Sequence, residues 1–274
     1  MKLRYILNKK SFLFASSFLL LMACSEDEKQ QVVTKTQLVM QEEFDTNGAP
    51  NPALWSFDIG TGNNGWGNNE LQYYTDRPEN IVIEDGMLKI TARRELFLGS
   101  SYTSARILTK GKFEQKYGRI EARIKLPWGK GLWPAFWMLG ANIDQVSWPQ
   151  CGEIDIMEYL GNKPTEIFGT IHGPGFSGSE SLSKKYNLSN GRFDTDFHIF
   201  GIEWTESHIN WYVDNVLYSQ ITRSDVEEAG GEWVFDNSFF MLLNLAVGGN
   251  LPGSPDANTT FPQRMIIDYV RVYQ

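Results

Sequence analysis

The sequence is poor in the side chains that most often bind metals or form cross-links. It has only two cysteines and three histidines in 274 residues. The histidines, His172, His198 and His208, do not have the spacing of zinc ligands, and the chain contains neither a CxxC nor an HExxH motif. A zinc site is therefore not predicted, and a small scaffold that depends on disulfides is excluded.

Basic residues are also scarce. The chain has 25 Lys and Arg against 33 Asp and Glu, and its formal net charge is -8. Residues 1–24 hold four of the basic side chains and no acidic one, so the rest of the chain carries a charge of -12. A surface this acidic repels phosphate backbones, and nucleic-acid binding is not expected. An uncharged ligand held by aromatic side chains fits the composition better, since nine tryptophans are present.

Apolar runs of signal-peptide length are confined to the N-terminus. Residues 1–10 are basic and residues 11–23 are apolar, which is typical of a signal peptide and too short to span a bilayer as a helix. The run ends in Leu21-Met22-Ala23-Cys24, which resembles a bacterial lipobox whose cysteine is acylated after cleavage. The sequence predicts a lipoprotein signal peptide over residues 1–24 with lipid on Cys24. An ordinary secretory signal with an incidental cysteine is the alternative.

Residues 25–38 are predicted to be a flexible tether, because they are mostly polar and show no periodic apolar pattern. The tether begins with Ser25-Glu26-Asp27-Glu28, which resembles the acidic tag that exports some lipoproteins to the outer face of the outer membrane. We therefore expect an exported protein that is anchored in the outer membrane and displayed at the cell surface. If Cys24 carries lipid, Cys151 has no partner within the chain, and no disulfide is expected.

Residues 39–274 have the pattern of short strands separated by turns. Gly118 to Leu126 alternates apolar and charged side chains, as in a strand with one dry and one wet face. Asp85-Gly86 and Asp214-Asn215 each lie between two strand-like segments, which is typical of hairpins. Only residues 224–229 look helical. The pattern predicts one all-β domain, an antiparallel sandwich rather than a parallel α/β sheet.

Three carboxylates, Glu153, Asp155 and Glu158, lie within six residues of apolar sequence. Because side chains alternate along a strand, Glu153 and Asp155 share a face, whereas Glu158 has the wrong parity. A β-bulge near Ile156 or Met157 would return Glu158 to that face. Two carboxyl groups about 5.5 Å apart are the arrangement of retaining glycosidases, and a third acid between them would tune both. A solvated acidic strand edge is the alternative.

Tryptophans in glycine- and proline-rich segments supply a second indication. Sugars stack their apolar CH faces on indole rings, so a glycan cleft needs exposed tryptophans beside hydrogen-bonding groups. Five tryptophans lie in such segments, and we expect them to line a cleft: Trp66, Trp128, Trp133, Trp137 and Trp148. The acidic strand and these aromatics together indicate a protein that cleaves or binds glycans.

The segment Glu153-Ile-Asp-Ile-Met-Glu158 resembles the active-site signature of glycoside hydrolase family 16 in its bulged form. Further segments resemble the laminarinase branch of that family: WGNNELQYY at 66–74, GLWPAFWM at 131–138, GTIHG at 169–173, NLAVGG at 244–249 and IDYVR at 267–271. The resemblance covers residues 39–274. It implies a β-jelly-roll sandwich of two curved antiparallel sheets with a concave substrate cleft, and retaining hydrolysis of internal β-1,3-glucosidic bonds in laminarin-type glucans.

The resemblance also implies roles for individual residues. Glu153 is the expected nucleophile, Glu158 the general acid/base and Asp155 an assisting residue. Trp148 matches the tryptophan that stacks on the sugar in the -1 subsite. The other residues expected to bind substrate are Trp133, Trp137, Asn69, Arg106 and His172. The loop from Pro174 to Leu188 is expected to border the product side.

No cofactor is expected for catalysis, but the resemblance implies one structural calcium on the convex sheet. Its ligands would be Glu43, the carbonyl of Gly86 and Asp268, and such oxygen donors suit calcium rather than zinc or copper. Asp268 interrupts an apolar run, and a buried carboxylate needs a cation to satisfy it. A salt bridge from Asp268 to Arg264 or Arg271 is the alternative.

Two other functions stay open at this stage. A mixed-linkage β-1,3-1,4-glucanase is the nearer one, although the unbulged motif is commoner among those enzymes. A non-catalytic β-glucan-binding protein on the same fold is the other, and the presence of both glutamates disfavours it. We expect a monomer whose partners are β-1,3-glucan and, through the lipid anchor, the membrane.

Overall fold

The computed structural model of the chain describes residues 37–274, most of which lie in β-strands. In chain order the strands are β1 (Leu38–Glu42), β2 (Ser56–Asp58), β3 (Gln72–Tyr74), β4 (Ile81–Glu84), β5 (Met87–Phe97), β6 (Ser100–Ser104), β7 (Arg106–Leu108), β8 (Gly118–Lys125), β9 (Leu132–Gly140), β10 (Glu153–Tyr159), β11 (Glu166–His172), β12 (Leu182–Asn187), β13 (His198–Trp204), β14 (His208–Val213), β15 (Val216–Thr222), β16 (Phe239–Val247) and β17 (Gln263–Tyr273). One α-helix, α1 (Arg223–Glu228), and short helical turns at Gly65–Asn69, Ala141–Asp144 and Gly178–Glu180 complete the described secondary structure.

The strands form two sheets. The ten-stranded sheet has the order β15-β14-β13-β8-β17-β5-β6-β3, with β1 also paired to β17 and β4 to β5. The seven-stranded sheet has the order β12-β11-β10-β9-β16-β7-β2. Every pair of strands is antiparallel except β3 and β6, which pair in parallel. The all-β sandwich is confirmed, and the one parallel pair is a departure from a purely antiparallel design.

Two hairpins form at the predicted turns. Asp85 and Gly86 join β4 to β5 with φ angles of 58° and 70°, and Asp214 and Asn215 join β14 to β15 with φ angles of 50° and 64°. Two consecutive residues with positive φ favour the turn whose twist matches that of the flanking strands. The predicted helical turn is α1, which begins after Thr222 in a capping box with Asp225.

Apolar side chains from both sheets meet in one core. In β8 the predicted dry face is confirmed, because Ile120, Ala122 and Ile124 are fully buried. The opposite face of this strand is less exposed to solvent than predicted. Glu121 is buried there, and the Nε of Arg119 donates a hydrogen bond to its Oε2 at 2.7 Å.

A one-residue bulge in β10 decides which of its side chains face the core. The pairing to β11 shifts between Asp155 and Glu158, and the pairing to β9 shifts between Asp155 and Met157. Ile156 and Met157 are consecutive, yet both lie in the core and are 1% and 0% exposed. The extra residue returns Glu158 to the face that carries Glu153 and Asp155. The predicted bulge is confirmed.

The residues implied for calcium lie close together in strand register, but both acids already have cationic partners. Glu43 follows β1, Gly86 precedes β5 and Asp268 is in β17, which pairs with both of these strands. Arg271 donates to the two oxygens of Glu43 at 2.8 and 2.9 Å, and Arg123 donates to Asp268 at 2.6 Å. The two carboxylates are thus paired with arginines and would have to leave them to bind an ion. Calcium binding stays a prediction, tested by the melting temperature in excess chelator.

The N-terminal predictions fall outside the described residues. The predicted signal peptide, the predicted acylation of Cys24 and residues 25–36 of the predicted tether all belong to that part of the chain. Within residues 37–274, no helix is long and apolar enough to cross a bilayer. Cys151 is buried, and it is the one cysteine among residues 37–274.

The bulge can be tested through the core side chains that it buries. Ile156→Ala and Met157→Ala should each lower the free energy of unfolding by about 2–5 kcal/mol, because each removes apolar volume from the core. Chemical denaturation measures this quantity. Leu96→Ala is the control, since Leu96 is 84% exposed and such a change stays within about 0.5 kcal/mol. A near-zero effect at Ile156 or Met157 would mean that only one of them faces the core.

Candidate active site

Three carboxylates share the face of the seven-stranded sheet that is turned away from the core, here called the open face. They lie on β10, which is flanked on both sides by hydrogen-bonded strands. Asp155 is only 3% exposed, and Glu153 and Glu158 are half-buried on either side of it. The Nε2 of His172, on β11, lies 3.2 Å from Asp155 Oδ2 and 3.8 Å from Glu153 Oε1. Four titratable side chains thus meet in one cluster.

The orientation of His172 fixes where its proton lies. The backbone N–H of Gly178 donates to the Nδ1 of His172 at 3.1 Å, so Nδ1 is an acceptor. In the neutral ring the proton is then on Nε2, which is the nitrogen beside Asp155. The loop after β11, predicted to border the product side, therefore sets the tautomer of this histidine.

Glu153 has a tryptophan as its hydrogen-bond donor. The indole Nε1–H of Trp148 donates to Glu153 Oε2 at 2.6 Å. The ring of Trp148 is 44% exposed and lies 5.8 Å from the ring of His172, measured between centroids. An exposed indole beside a carboxylate offers a sugar both a stacking surface and a reactive oxygen.

Glu158 receives two longer hydrogen bonds. The indole Nε1–H of Trp133, on β9, donates to its Oε1 at 3.2 Å, and the hydroxyl of Thr170, on β11, donates to its Oε2 at 3.2 Å. The hydroxyl of Thr170 also lies 2.9 Å from that of Ser183, on the edge strand β12. Glu158 is thereby held from both neighbouring strands, and its carboxyl group stays on the open face.

Arg106, on β7, lies among aromatic rings on the other side of the open face. Its guanidinium carbon is 4.1 Å from the ring centroid of Trp66, 5.1 Å from that of Tyr74 and 5.7 Å from that of Trp137. Its Nε lies 2.9 Å from a carboxylate oxygen of Asp58, and the residue is 7% exposed. Arg106 is therefore mostly buried among these aromatic rings and helps to hold them in place.

Trp137 and Asn69 are each positioned by an asparagine. The Nε1–H of Trp137 donates to Asn244 Oδ1 at 2.7 Å. Asn69 is exposed, and its side-chain amide donates to Asn250 Oδ1 at 2.9 Å. The loop that carries Asn69 is a tight turn in which Trp66 has a φ of 55°, so the aromatic ring projects from a strained backbone.

Known proteins resemble the chain in both sequence and structure. A family model, glycosyl hydrolases family 16, matches residues 68–271. The chain belongs to this family. The beta-glucanase of Rhodothermus marinus is 39% identical over 283 residues, covering 100% of this chain and 97% of that protein.

Two solved structures match the whole domain. The laminarinase catalytic domain of Thermotoga maritima, crystallised with cetyltrimethylammonium bromide, has a TM-score of 0.84 and 54% identity, covering 88% of this chain and 99% of that one. The endo-beta-1,3-glucanase of Pyrococcus furiosus has a TM-score of 0.84 and 51% identity, covering 86% of this chain and 94% of that one. The jelly-roll architecture of the family is thus that of this chain.

In this family 16 site, burial and neighbouring charges disfavour the ionised forms of the three acids. Burial, and next the negative charge of Asp155, raise the pKa of Glu153 well above its usual range. Burial and the charge of Glu158 do the same to the pKa of Asp155, and burial raises the pKa of Glu158. His172 and the indole donors oppose these shifts at the two glutamates. Burial and mutual repulsion therefore disfavour the state in which all three acids are charged.

The structure brings most of the predicted site residues together and leaves one predicted tryptophan apart. Glu153, Asp155, Glu158, Trp133, Trp148 and His172 form one cluster, and Trp137, Arg106 and Trp66 form a second one on the same face. The prediction that Trp128 lines this face is wrong. It lines a separate pocket with residues of the ten-stranded sheet, including Lys125 and Arg264.

Some site residues were missed by sequence reasoning. Thr170 lies within the quoted GTIHG segment and Asn244 begins the NLAVGG segment, but neither was given a role. Glu70 is a further half-buried acid, bonded by Gln72 at 2.6 Å, and burial raises its pKa while Arg106 opposes the shift. Its position in WGNNELQYY, between asparagines and tyrosines, was the available signal.

Among residues 37–274, Glu153, Asp155 and His172 are the one trio of metal-ligating side chains whose donor atoms all lie within 4.8 Å of one another. Two carboxylates and an imidazole suit several divalent metals. The same three side chains belong to the cluster on the open face, where the Nε2 of His172 lies 3.2 Å from Asp155 Oδ2.

The charge cluster makes a prediction about stability. The pKa of Glu153 is raised in the folded state, whereas the unfolded chain has the ordinary value near 4.3. Stability is full below the unfolded pKa and falls as the pH rises through the folded pKa. Glu153→Gln should therefore raise the melting temperature at pH 7 by at least about 2 °C. The gain should vanish below about pH 4, where both states of the wild type are protonated.

Calorimetry across this pH range measures the effect. Glu79→Gln, at an exposed position, is the matched control and should show no such pH-dependent gain. A change in melting temperature at Glu153 that is the same at all pH values would contradict an electrostatic origin.

Proposed function

We propose that this chain is a retaining endo-β-1,3-glucanase that cleaves internal bonds of laminarin-type glucans. The observation that carries the proposal is the bulged β10, which sets Glu153, Asp155 and Glu158 on one face, where burial raises the pKa of all three acids. Retaining hydrolysis needs one ionised carboxylate and one protonated carboxyl group on the same side of the substrate cleft. The beta-glucanase, laminarinase and endo-beta-1,3-glucanase names of the relatives support this substrate class.

In the first step Glu153 attacks the anomeric carbon of the glucose that lies on Trp148. Glu158 gives its proton to the glycosidic oxygen, the C–O bond to the leaving chain breaks, and a covalent glycosyl ester forms on Glu153. The hydrogen bond from Trp148 to one oxygen of Glu153 orients the carboxylate for this attack. Asp155, between the two glutamates, is proposed to hold a proton near them, and the Nε2 of His172 lies 3.2 Å from its Oδ2.

In the second step Glu158, now ionised, takes a proton from water. The water oxygen attacks the anomeric carbon, the ester bond to Glu153 breaks, and Glu158 is protonated again. Two inversions at one carbon give a product of unchanged anomeric configuration. Trp133 and Thr170 stabilise the ionised state of Glu158 through their two hydrogen bonds.

The second cluster, around Arg106, is proposed to bind the glucose units before the cleaved bond. Trp66 and Trp137 present rings on the open face, and the exposed amide of Asn69 provides a hydrogen-bonding group for sugar hydroxyls. The cluster is held internally by hydrogen bonds and by the stacked guanidinium, so its groups are ordered before substrate arrives.

A mixed-linkage β-1,3-1,4-glucanase is the second candidate. The bulged form of the β10 motif favours the β-1,3 assignment, since the unbulged form is commoner in mixed-linkage enzymes. Product chromatography on laminarin, lichenan, carboxymethylcellulose and agarose decides between the candidates. We expect a ladder of oligosaccharides from laminarin and little release from the others. Faster cleavage of lichenan would favour the mixed-linkage enzyme, and binding to laminarin without any cleavage would favour a glucan-binding protein.

The catalytic assignment predicts the effect of removing each glutamate. Glu153→Gln and Glu158→Gln should each lower turnover on laminarin by roughly 10²–10⁴-fold, with the fold intact by circular dichroism. Glu166→Gln is the matched control, because Glu166 is a glutamate of the adjacent strand β11 that pairs with Lys163 and Lys185. It should keep wild-type turnover. Full activity in either of the first two variants would overturn the assignment.

The retaining mechanism predicts the anomer that forms first. NMR of early wild-type products should show the β-anomer, with the α-anomer appearing later by mutarotation. Azide should restore bond cleavage in Glu153→Gly and yield a glycosyl azide of inverted configuration, because the external anion replaces the missing nucleophile. If the α-anomer appears first in the wild type, hydrolysis is inverting.

For location, we propose an exported lipoprotein that is anchored in the outer membrane through Cys24 and displayed at the cell surface. The basic N-terminus, the short apolar run and the lipobox-like segment support the anchor, and residues 25–28 support display. Cys24→Ser should abolish incorporation of labelled fatty acid and either release the protein from membranes or block its maturation. Cys151→Ser is the control and should keep the label. Label that persists on Cys24→Ser would contradict lipidation there.

A further inference from the structure

Trp128 is exposed on a surface that the proposed reaction does not use. Its side chain is 43% exposed and forms one wall of a pocket of about 350 Å³. Small-molecule sites have volumes of roughly 300–1,000 Å³, so the pocket is within the range of a binding site. A single exposed aromatic needs no explanation by itself, but an aromatic wall on a pocket with convergent polar groups is typical of ligand sites.

The pocket lies on the opposite side of the sandwich from the catalytic carboxylates. Lys125 and Ile266 line it, and these two residues pair with each other in the ten-stranded sheet. Their neighbours Ile124 and Ile267 are fully buried in the core. Because side chains alternate along a strand, Lys125 and Ile266 must point outward from that sheet. A ligand bound here would leave the open face of the seven-stranded sheet unoccupied.

The segment that carries Trp128 is held in place from both sides. The backbone N–H of Trp128 donates to Gln263 Oε1 at 3.3 Å, and that of Gly129 donates to the carbonyl of Gly161 at 2.9 Å. The hydroxyl of Thr259 donates to the carbonyl of Lys130 at 2.8 Å. An aromatic side chain that is exposed on a fixed backbone loses little conformational entropy when it binds a ligand.

The polar groups of the pocket suit a polyhydroxylated ligand. Arg192 donates to both oxygens of Asp194 at 2.8 Å, and its guanidinium carbon lies 5.8 Å from the ring centroid of Trp128. Lys125 and Arg264 line the pocket and have no carboxylate partner within 4.0 Å among residues 37–274. The pocket therefore combines an exposed indole with polar side chains, and proteins often hold sugars with such a combination.

A second pocket adjoins the first, and two adjoining pockets favour a chain over a single sugar. Pro262 lines both pockets, and the second has a volume of about 460 Å³ and is also lined by Arg93, Arg94, Thr259, Thr260 and Phe261. The two guanidinium groups and the hydroxyl of Thr260 are suited to hydrogen bonds with sugar hydroxyls. The two pockets, which share Pro262, are together called the groove.

We propose that this groove, with Trp128 as its stacking surface, is a second and non-catalytic binding site for the β-glucan polymer. This inference rests on the proposed function, because its ligand is the polymer that the open face is proposed to cleave. Binding at two separate sites raises the retention of the protein on a long chain or particle without altering the chemistry at Glu153. Short oligosaccharides fill one site at a time and gain nothing from the second.

Affinity electrophoresis in gels that contain soluble β-1,3-glucan tests the proposal. Glu153→Gln serves as the background, so that the polymer is not degraded. Adding Trp128→Ala should weaken retardation by at least about tenfold, because a second contact raises avidity by an order of magnitude or more. Trp128→Phe keeps an aromatic surface and should retain most of the binding. Leu251→Ala, at another exposed apolar position, is the control and should bind like the background.

Activity assays separate this proposal from the proposed function. In the chain with Glu153 intact, Trp128→Ala should hydrolyse short β-1,3-oligosaccharides at the wild-type rate and should keep its melting temperature. Unchanged polymer retardation in the Trp128→Ala background variant would overturn the second site while leaving the hydrolase assignment intact. If wild type neither cleaves nor binds β-1,3-glucan, the proposed function fails instead.

The salt dependence of retardation tests the nature of the ligand. Binding of a neutral glucan should be nearly unchanged between low and high salt, because it depends on stacking and hydrogen bonds. Binding of an anionic polysaccharide by Lys125 and Arg264 would weaken steeply with salt. Loss of binding to a sulfated polymer alone in Trp128→Ala, with β-glucan retardation unaffected, would overturn the assignment to β-glucan.

Discussion

The extra residue in β10 is the constraint on which the site depends. In a regular strand Glu158 would point into the core, where an unpaired carboxylate is costly. The bulge instead buries two consecutive apolar side chains, Ile156 and Met157, and leaves all three acids on the open face. The hydrophobic gain in the core and the position of the acid/base glutamate are therefore two results of one backbone irregularity.

Collecting three acids on one face costs stability, and the surrounding side chains offset part of that cost. Burial and mutual repulsion raise the pKa of Glu153 and Asp155, while the N–H groups of Trp148 and Trp133 favour the charged forms of the two glutamates. A cluster that is not fully ionised is what a double-displacement hydrolase needs, because one carboxyl group must donate a proton while another attacks. The cluster therefore lowers the stability of the fold, but it allows one strand to carry both a protonated and an ionised carboxyl group.

The tryptophans show what the sequence pattern predicts about an aromatic ring and what it does not. Trp66, Trp133, Trp137 and Trp148 lie on the open face or at its edge, and each has a hydrogen bond or a stacked cation that fixes it. Trp128 has the same glycine- and proline-rich surroundings in the sequence but lies on the other side of the sandwich. Local composition predicts that an aromatic ring is exposed. It does not predict which sheet the ring lies against, since that depends on how the connection between β8 and β9 packs.

The sequence by itself determined the strands, the hairpins and the acidic motif, because alternation and turn chemistry act between residues that are close along the chain. It also indicated the bulge, since acids at positions 153, 155 and 158 cannot all share a face of a regular strand. Only the tertiary structure decided which groups hold these acids and the side chains around them. Thr170 donates to Glu158, the N–H of Gly178 donates to His172, and Asn244 accepts from Trp137. These contacts arise from strand order and loop packing. The partner of Asp268 is Arg123 rather than a sequence neighbour for the same reason: pairing between β8 and β17 brings together side chains that are distant in the chain.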